Sequence, residues 1–421
     1  MRRLIGAGRH VGRSLRAALL VALIVCAEGL AQSPESDVPA GTPAAGEPAD
    51  GYLVPDAPSD VLTSANVEHP RFSVKVGMAM LLDYTWFDQD DTSIAQVGEQ
   101  NDTGEVRDSR ITARGDVRLI EPWRYQVTAQ YKGFDREPTD TGNWTFTDVN
   151  LARDFAFGTL ILGKIKQTFS YEMIGDAANL PQSERLLTPF FKSRDIGIRV
   201  SDTVLDDRAT WAVGLYGEDG LQASARFTGL PIWADDGRRY LHVALAVRYN
   251  GDDDGRLRFS GRPESNVADL YVDTGDLPAD HAWHTGLEAL WASGPFSVLA
   301  ELVQARVSSA SVGDPTFSGW YVTGSWAIAG EPRPYDRQVG YARRIPVVDR
   351  RGQVELVARV GRVDLDDEPV SGGTLDKWYL GVNWWATKRW KASLGYGDAD
   401  LERFGLNGNT KILLARLQWI H

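Results

Sequence analysis

Between Lys164 and Arg199 the chain sets six basic residues, Lys164, Lys166, Arg185, Lys192, Arg194 and Arg199, against four acidic ones, Glu172, Asp176, Glu184 and Asp195. The whole chain of 421 residues carries a formal charge of −12, so this stretch is a positive island in an acidic protein. Guanidinium groups stay charged and donate paired hydrogen bonds, the donor geometry that phosphate-like anions accept. The same side chains can also be ordinary loop charges tied to the carboxylates beside them. Both readings stand at the level of sequence.

Other chemistry is poorly supplied. "GTLILGKI" (Gly158 to Ile165) approaches a phosphate-binding loop, but Ile165 stands where a Ser or Thr must ligate magnesium, and the intervening residues read as a strand. His281 and His284 lie near Asp280, with no helix to bring them onto one face and no third ligand nearby, so we read them as surface histidines and expect no metal or other cofactor. Asp252, Asp253 and Asp254 read as a solvated turn. No nucleophile elbow is present, and only six histidines exist, His10 and His421 among them. An enzyme is therefore not the expectation.

The elements that would hold the basic residues are strands. From Asp108 to Lys132 polar and apolar residues alternate, turning over within Glu121-Pro122-Trp123. Arg110, Thr112, Arg114, Asp116 and Arg118 share one side of the first limb, and Arg124, Gln126, Thr128, Gln130 and Lys132 share one side of the second. Successive strand side chains point to opposite faces, so this is a hairpin with one charged and one apolar face. The pattern recurs at His242, Ala244, Ala246, Arg248 and Asn250, and at Gln353, Glu355 and Arg359. Further segments centre near residues 78, 148, 161, 198, 212, 288, 301, 322, 381, 394 and 415, with weaker ones near 226, 258 and 270. The expectation is an all-β fold: a transmembrane antiparallel β-barrel of about 16 strands with a wet interior. Trp123, Trp144, Trp291, Trp384, Trp385 and Trp390 fall at or near strand ends, where an indole suits a membrane interface. "EPW", "SGP" and "ATKR" read as tight turns, and residues 88–106, 169–193, 308–316, 330–350 and 400–409 as long loops.

Three parts follow from the composition. Residues 1–31, with five arginines, an apolar run from Ala17 to Ala27 and small residues ending at Ala31, read as a secretory signal too short to span a membrane. Cys26, the only cysteine, lies inside that run behind Val25 rather than a small residue, which disfavours lipid attachment. Residues 32–69 read as a disordered Pro, Ala and acidic linker, and residues 70–421 as the barrel. Removing the signal takes away five arginines against the single carboxylate of Glu28 and leaves the remainder still more acidic. That balance argues against nucleic acid as a partner; outer-membrane lipid as a partner follows from the barrel pattern instead. His421 is a departure from the aromatic last residue usual in outer-membrane barrels; Trp419 stands two residues in.

From about Phe72 onward the chain resembles the phosphate-selective porin O and P family. The resemblance is carried by "LILGKIKQTFSYEM" (Leu160 to Met173), "SERLLTPFFKSRDIGI" (Ser183 to Ile198), "FSGWYVTGSWAIAGEPRPYD" (Phe317 to Asp336) and, near the end, "GQVELVARVGRVDLDD", "LGVNWW" and "ARLQW". It implies a 16-stranded, usually trimeric porin of a Gram-negative type outer membrane, its third loop folded into the lumen as a constriction with an anion preference. On that resemblance Arg185 and Arg194 are the leading loop contacts for anions, with Lys192 and Lys166 beside them. By alternation alone Arg110, Arg114, Arg118, Arg124, Lys132 and Arg248 face the lumen as a basic wall, while Asp116 and Glu355 share it and weaken the field. The expected function is passive diffusion of small anionic solutes such as phosphate. A non-conducting structural or partner-binding barrel and an outer-membrane enzyme remain as alternatives.

Overall fold

A computed structural model describes residues 66–421 except 70, 119, 132–143, 176–177 and 219. The signal segment, nearly all of the linker and Lys132 lie outside the described residues. Sixteen strands form the wall: β1 (Phe72–Gln89), β2 (Thr103–Arg118), β3 (Pro122–Tyr131), β4 (Trp144–Phe155), β5 (Gly158–Lys166), β6 (Arg194–Val204), β7 (Ala209–Tyr216), β8 (Gln222–Ala234), β9 (Arg239–Gly251), β10 (His281–Ser293), β11 (Phe296–Ser308), β12 (Thr316–Ile328), β13 (Gln353–Asp367), β14 (Val370–Trp385), β15 (Trp390–Arg403) and β16 (Leu406–Ile420). Each pairs antiparallel with its sequence neighbours, and β1 closes on β16 from Ala79↔Ile420 to Gln89↔Thr410. Asn66–His69, within the span expected as linker, adds a short ladder to the first residues of β1, beyond the end of β16.

Alternation sorts side chains as the pattern demands. Ile198, Leu215, Phe227, Leu287, Leu302 and Leu380 are exposed on the outside, while Gln126, Thr128, Arg226, His242 and Glu288 are buried within. An apolar belt on a closed sheet leaves no unpaired backbone edge in lipid. Trp144 and Trp283 are exposed near one rim and Trp291 and Trp326 near the other, as amphipathic indoles favour. Trp385 is a correction. Its neighbour Trp384 takes the outward position, so Trp385 turns inward and is 1% exposed, with Lys391 Nζ 5.0 Å from its ring centre.

The differences from the sequence reading have local causes. The segments near 258 and 270 are two-residue ladders inside the loop 252–280, Arg256–Leu257 with Leu277–Pro278 and Ser260–Gly261 with Val272–Asp273, not wall strands. Their apolar residues Leu257, Phe259, Tyr271 and Val272 enter a local core instead of alternating toward lipid. Residues 400–409 are no loop: the β15–β16 ladder runs to Arg403↔Leu406. Phe404 and Gly405, at φ +55° and +73°, make the tight turn, a backbone that matches strand twist. Those strands project past the apolar belt, where the outward positions Asp400 and Glu402 are polar and exposed and the inward Ala399 and Leu401 are apolar and buried, the reverse of the alternation within the belt. Residues 91–97 add a helix, α1 (Asp91–Val97), started by Asp90, whose carboxylate accepts from Ser93 N at 2.6 Å. The long segment 329–352 sits at the same end as the tight turns after β2, β10 and β14, opposite the other long loops.

Candidate functional site: the lumen and its inward loops

The third loop, 167–193, leaves the wall at Lys166 and rejoins it at Arg194. Between those points it crosses the bore, because strands on every side hold it. Glu184 takes two hydrogen bonds from Arg107 of β2 (2.6 and 2.9 Å) and one from Arg416 of β16 (2.5 Å). Arg416 also pairs with Asp83 of β1 at 2.7 and 2.6 Å. Burial would raise the Glu184 carboxyl, but the two guanidinium groups prevail and hold it at about 2. Glu172 receives Arg359 of β13 at 2.8 Å and the backbone N–H groups of Leu186 and Leu187. The Tyr171 N–H donates to Glu301 of β11 at 3.0 Å. Asn383 of β14 and Lys391 of β15 donate to the carbonyls of Pro181 (2.7 Å) and Leu180 (3.2 Å).

Two more segments enter the bore. Loop 252–280 places Glu264 within 2.8 Å of Arg359 and 3.6 Å of Lys377. From the opposite end, 329–352 brings in a small hairpin, Tyr335–Asp336 with Tyr341–Ala342. The Tyr335 hydroxyl lies 2.6 Å from His242 Nδ1, whose Nε2 lies 3.2 Å from Glu288, itself paired with Arg226. Arg333 pairs with Glu355. The two inward segments touch: Ala342 N–H donates to the Tyr171 hydroxyl at 3.1 Å, and the rings of Tyr171 and Tyr341 lie 4.9 Å apart. Phe169, Tyr171, Phe190, Phe259, Tyr240 and Tyr321 form one apolar core inside the β9–β14 side of the wall. His284 belongs to it. Rather than a surface histidine it is fully buried, 5.9 Å from each of the Phe169 and Phe259 rings.

The expected site residues fall into distinct settings. Arg185 is 4% exposed and donates to its own loop, to Glu172 O (2.6 Å) and Gly175 O (2.7 Å). Lys166 donates to Ile174 O at 3.3 Å. Arg194 meets Asp148 at 3.1 Å, and Lys192, 26% exposed, meets Asp195 at 3.1 Å. Arg110 lies 2.8 Å from Asp108. Arg124 forms a two-bond pair with Asp154, both at 2.6 Å. Arg114 is half-buried on the same inner face, and Arg118 is exposed at the short-turn rim. Asp116, exposed near that rim, accepts from Ser73 at 3.2 Å, whereas Glu355 is deeply buried. Arg248 is held by Gln167 (2.8 Å), Gln222 (2.9 Å), Asn250 (3.0 Å) and Phe190 O (3.3 Å).

Sequence reasoning did not single out Arg107, Arg226, Lys377, Lys391 or Arg416. Arg226, Lys377, Lys391 and Arg416 obey the alternation of their strands and were findable by it. Arg107 was not, because a bulge opposite Leu81 and Leu82 turns Arg107 and Asp108 to the same side.

A closed sixteen-stranded barrel with an apolar belt, a charged bore and a third loop folded across it defines an outer-membrane porin. The chain belongs to the phosphate-selective porin O and P family, whose profile matches residues 74–420. It is 22% identical to Porin O of Pseudomonas aeruginosa, over 83% of this chain and 89% of that protein. Among solved structures, the outer membrane channel DcaP of Acinetobacter baumannii aligns at TM-score 0.55 and 10% identity, covering 85% of this chain and all of that one. The anion-selective porin from Comamonas acidovorans aligns at TM-score 0.53 and 12% identity, covering 83% and all respectively; both likenesses concern the fold.

Proposed function

We propose that this porin is a passive channel for small anionic solutes, phosphate among them, working as a homotrimer and not as an enzyme. One observation carries the anion preference. Arg199 and Arg248 are buried on the inner wall and are held by uncharged partners: Lys166 O for the first, and the amides of Gln167, Gln222 and Asn250 with Phe190 O for the second. Among the described residues no carboxylate lies within ion-pair distance of either. A cation clamped by a carboxylate is neutralised in place, whereas one held by neutral dipoles keeps its charge and its field. Arg194 and Lys192, where the third loop rejoins the wall, would meet the solute with a field reduced by Asp148 and Asp195, and Arg185 would hold the loop that narrows its path.

Reversal potentials in a potassium chloride gradient test this, with phosphate and sulfate as competitors. Chloride should be favoured over potassium. The double variant Arg199→Gln, Arg248→Gln should lower that preference several-fold, and Lys192→Glu with Arg194→Glu should do the same at the loop edge. Cation preference in the unaltered protein would overturn the reading. The apolar core on the β9–β14 side favours a second reading, a non-conducting barrel that binds a partner; absence of bilayer current would select it. The trimer, carried over from the family resemblance, is tested by the mass of the detergent-solubilised protein.

A further inference from the structure

The porin O and P family places the long loops outside the cell and the short turns in the periplasm, and the charge of this molecule divides along that axis. At the long-loop end, Asp91 and Glu99 follow β1, Asp253 and Asp276 lie in the loop after β9, Glu368 sits in the turn after β13 and Glu402 ends β15. All six are exposed, and among the described residues none has a basic side chain within ion-pair distance. They are spread around the mouth, on separate loops and turns. At the short-turn end several carboxylates are paired: Arg238 meets Glu331 at 2.6 Å, Arg239 meets Asp235 at 3.6 Å and Arg337 meets Asp207 at 3.6 Å, while Asp206, Asp236 and Asp349 are exposed without such a pair. Arg350 and Arg351 stand exposed there as well.

We infer that the outer mouth is an electrostatic vestibule that gathers cations and depletes anions, in series with a positive interior, so that the channel conducts unequally in its two directions. The inference rests on the porin reading. Fixed charges of one sign at a cleft change local ion concentration about tenfold or more when screening is weak. The Debye length is about 8 Å at physiological ionic strength and about 30 Å at 0.01 M. Unpaired carboxylates on exposed rims therefore act strongly on ions in dilute medium and weakly in brine. Divalent cations at that face neutralise the ring, so their concentration outside the cell would set how readily an anion enters.

Single-channel current–voltage curves of the full-length protein in planar bilayers decide the matter. In about 0.02 M potassium chloride, where screening is long-ranged, currents at equal and opposite voltages should differ about twofold or more, and the asymmetry should vanish in 1 M salt. Magnesium added to one face should abolish it, and magnesium at the other face should not. The variant Asp253→Asn, Glu368→Gln, Glu402→Gln, at exposed positions, should show clearly reduced asymmetry in dilute salt. A straight curve for the unaltered protein, or asymmetry unchanged in the variant, would overturn this inference and leave the porin reading intact. A protein that passes no current would remove both.

Discussion

Glu184 shows what one carboxylate does in the bore. Arg107 and Arg416 approach it from two strands that are neighbours of β1 on opposite sides, so a single loop residue is tied to the seam where the barrel closes. Glu184→Gln keeps the shape and removes the charge, leaving the two arginines with only Asp83 between them. Breaking a buried pair costs up to about 3–5 kcal/mol; denaturant unfolding in detergent should show a loss toward the lower part of that range, since the bore is wetter than a core. The sign of the pH dependence is fixed by the depressed carboxyl. Its stabilisation is complete above the ordinary glutamate value near 4.3 and is lost as pH falls toward the folded value of about 2. Protease cleavage of the third loop should therefore stay flat from neutral pH down to about 5 and rise only below about 4. Cleavage that rises already at pH 6 would place the latch elsewhere.

Among the elements, the contact between the third loop and segment 329–352 matters most for conduction, since segments from opposite ends meet there. Gly175 is where they fit: a Cβ at that position would lie 2.2 Å from the Tyr341 hydroxyl oxygen, with the ring behind it. Gly175→Ala should cost about 1–3 kcal/mol through overpacking and should shift single-channel conductance, read in the same bilayer recordings. Replacing 331–349 by a short Gly-Ser turn should leave the wall folded, seen as unchanged strand content by circular dichroism, and raise conductance; an unchanged current would show that this segment does not narrow the path. Strand existence was legible because side chains must alternate between lipid and water; Arg110 and Arg114 share a side of β2 with Thr112, whose hydroxyl lies 3.1 Å from that of the buried Thr128. What a side chain meets inside was not legible. Arg416 and Glu184 are 232 residues apart, and no local pattern joins them. Nor could loop length say which end of the barrel 329–352 occupies, since that depends on counting every strand before it.

For the molecule as a whole, the outer belt is the strongest constraint. Leu287 lies midway along β10 and is half exposed to the outside. Leu287→Arg should destabilise the barrel by about 2–4 kcal/mol in lipid, measured by urea unfolding in vesicles, whereas Thr128→Arg, on the inner face, should act mainly on current.

The seam between first and last strands has a temporal meaning. His421 exchanges two backbone bonds with Met78, each 2.8 Å, and β16 supplies the second neighbour of β1 along its upper half. Until those final residues arrive, every partial wall carries two raw edges in a solvent that cannot satisfy them. Maturation therefore has no stable halfway house: a chain stopped short of β16 should be cleared by periplasmic proteases instead of lingering as a leaky pore.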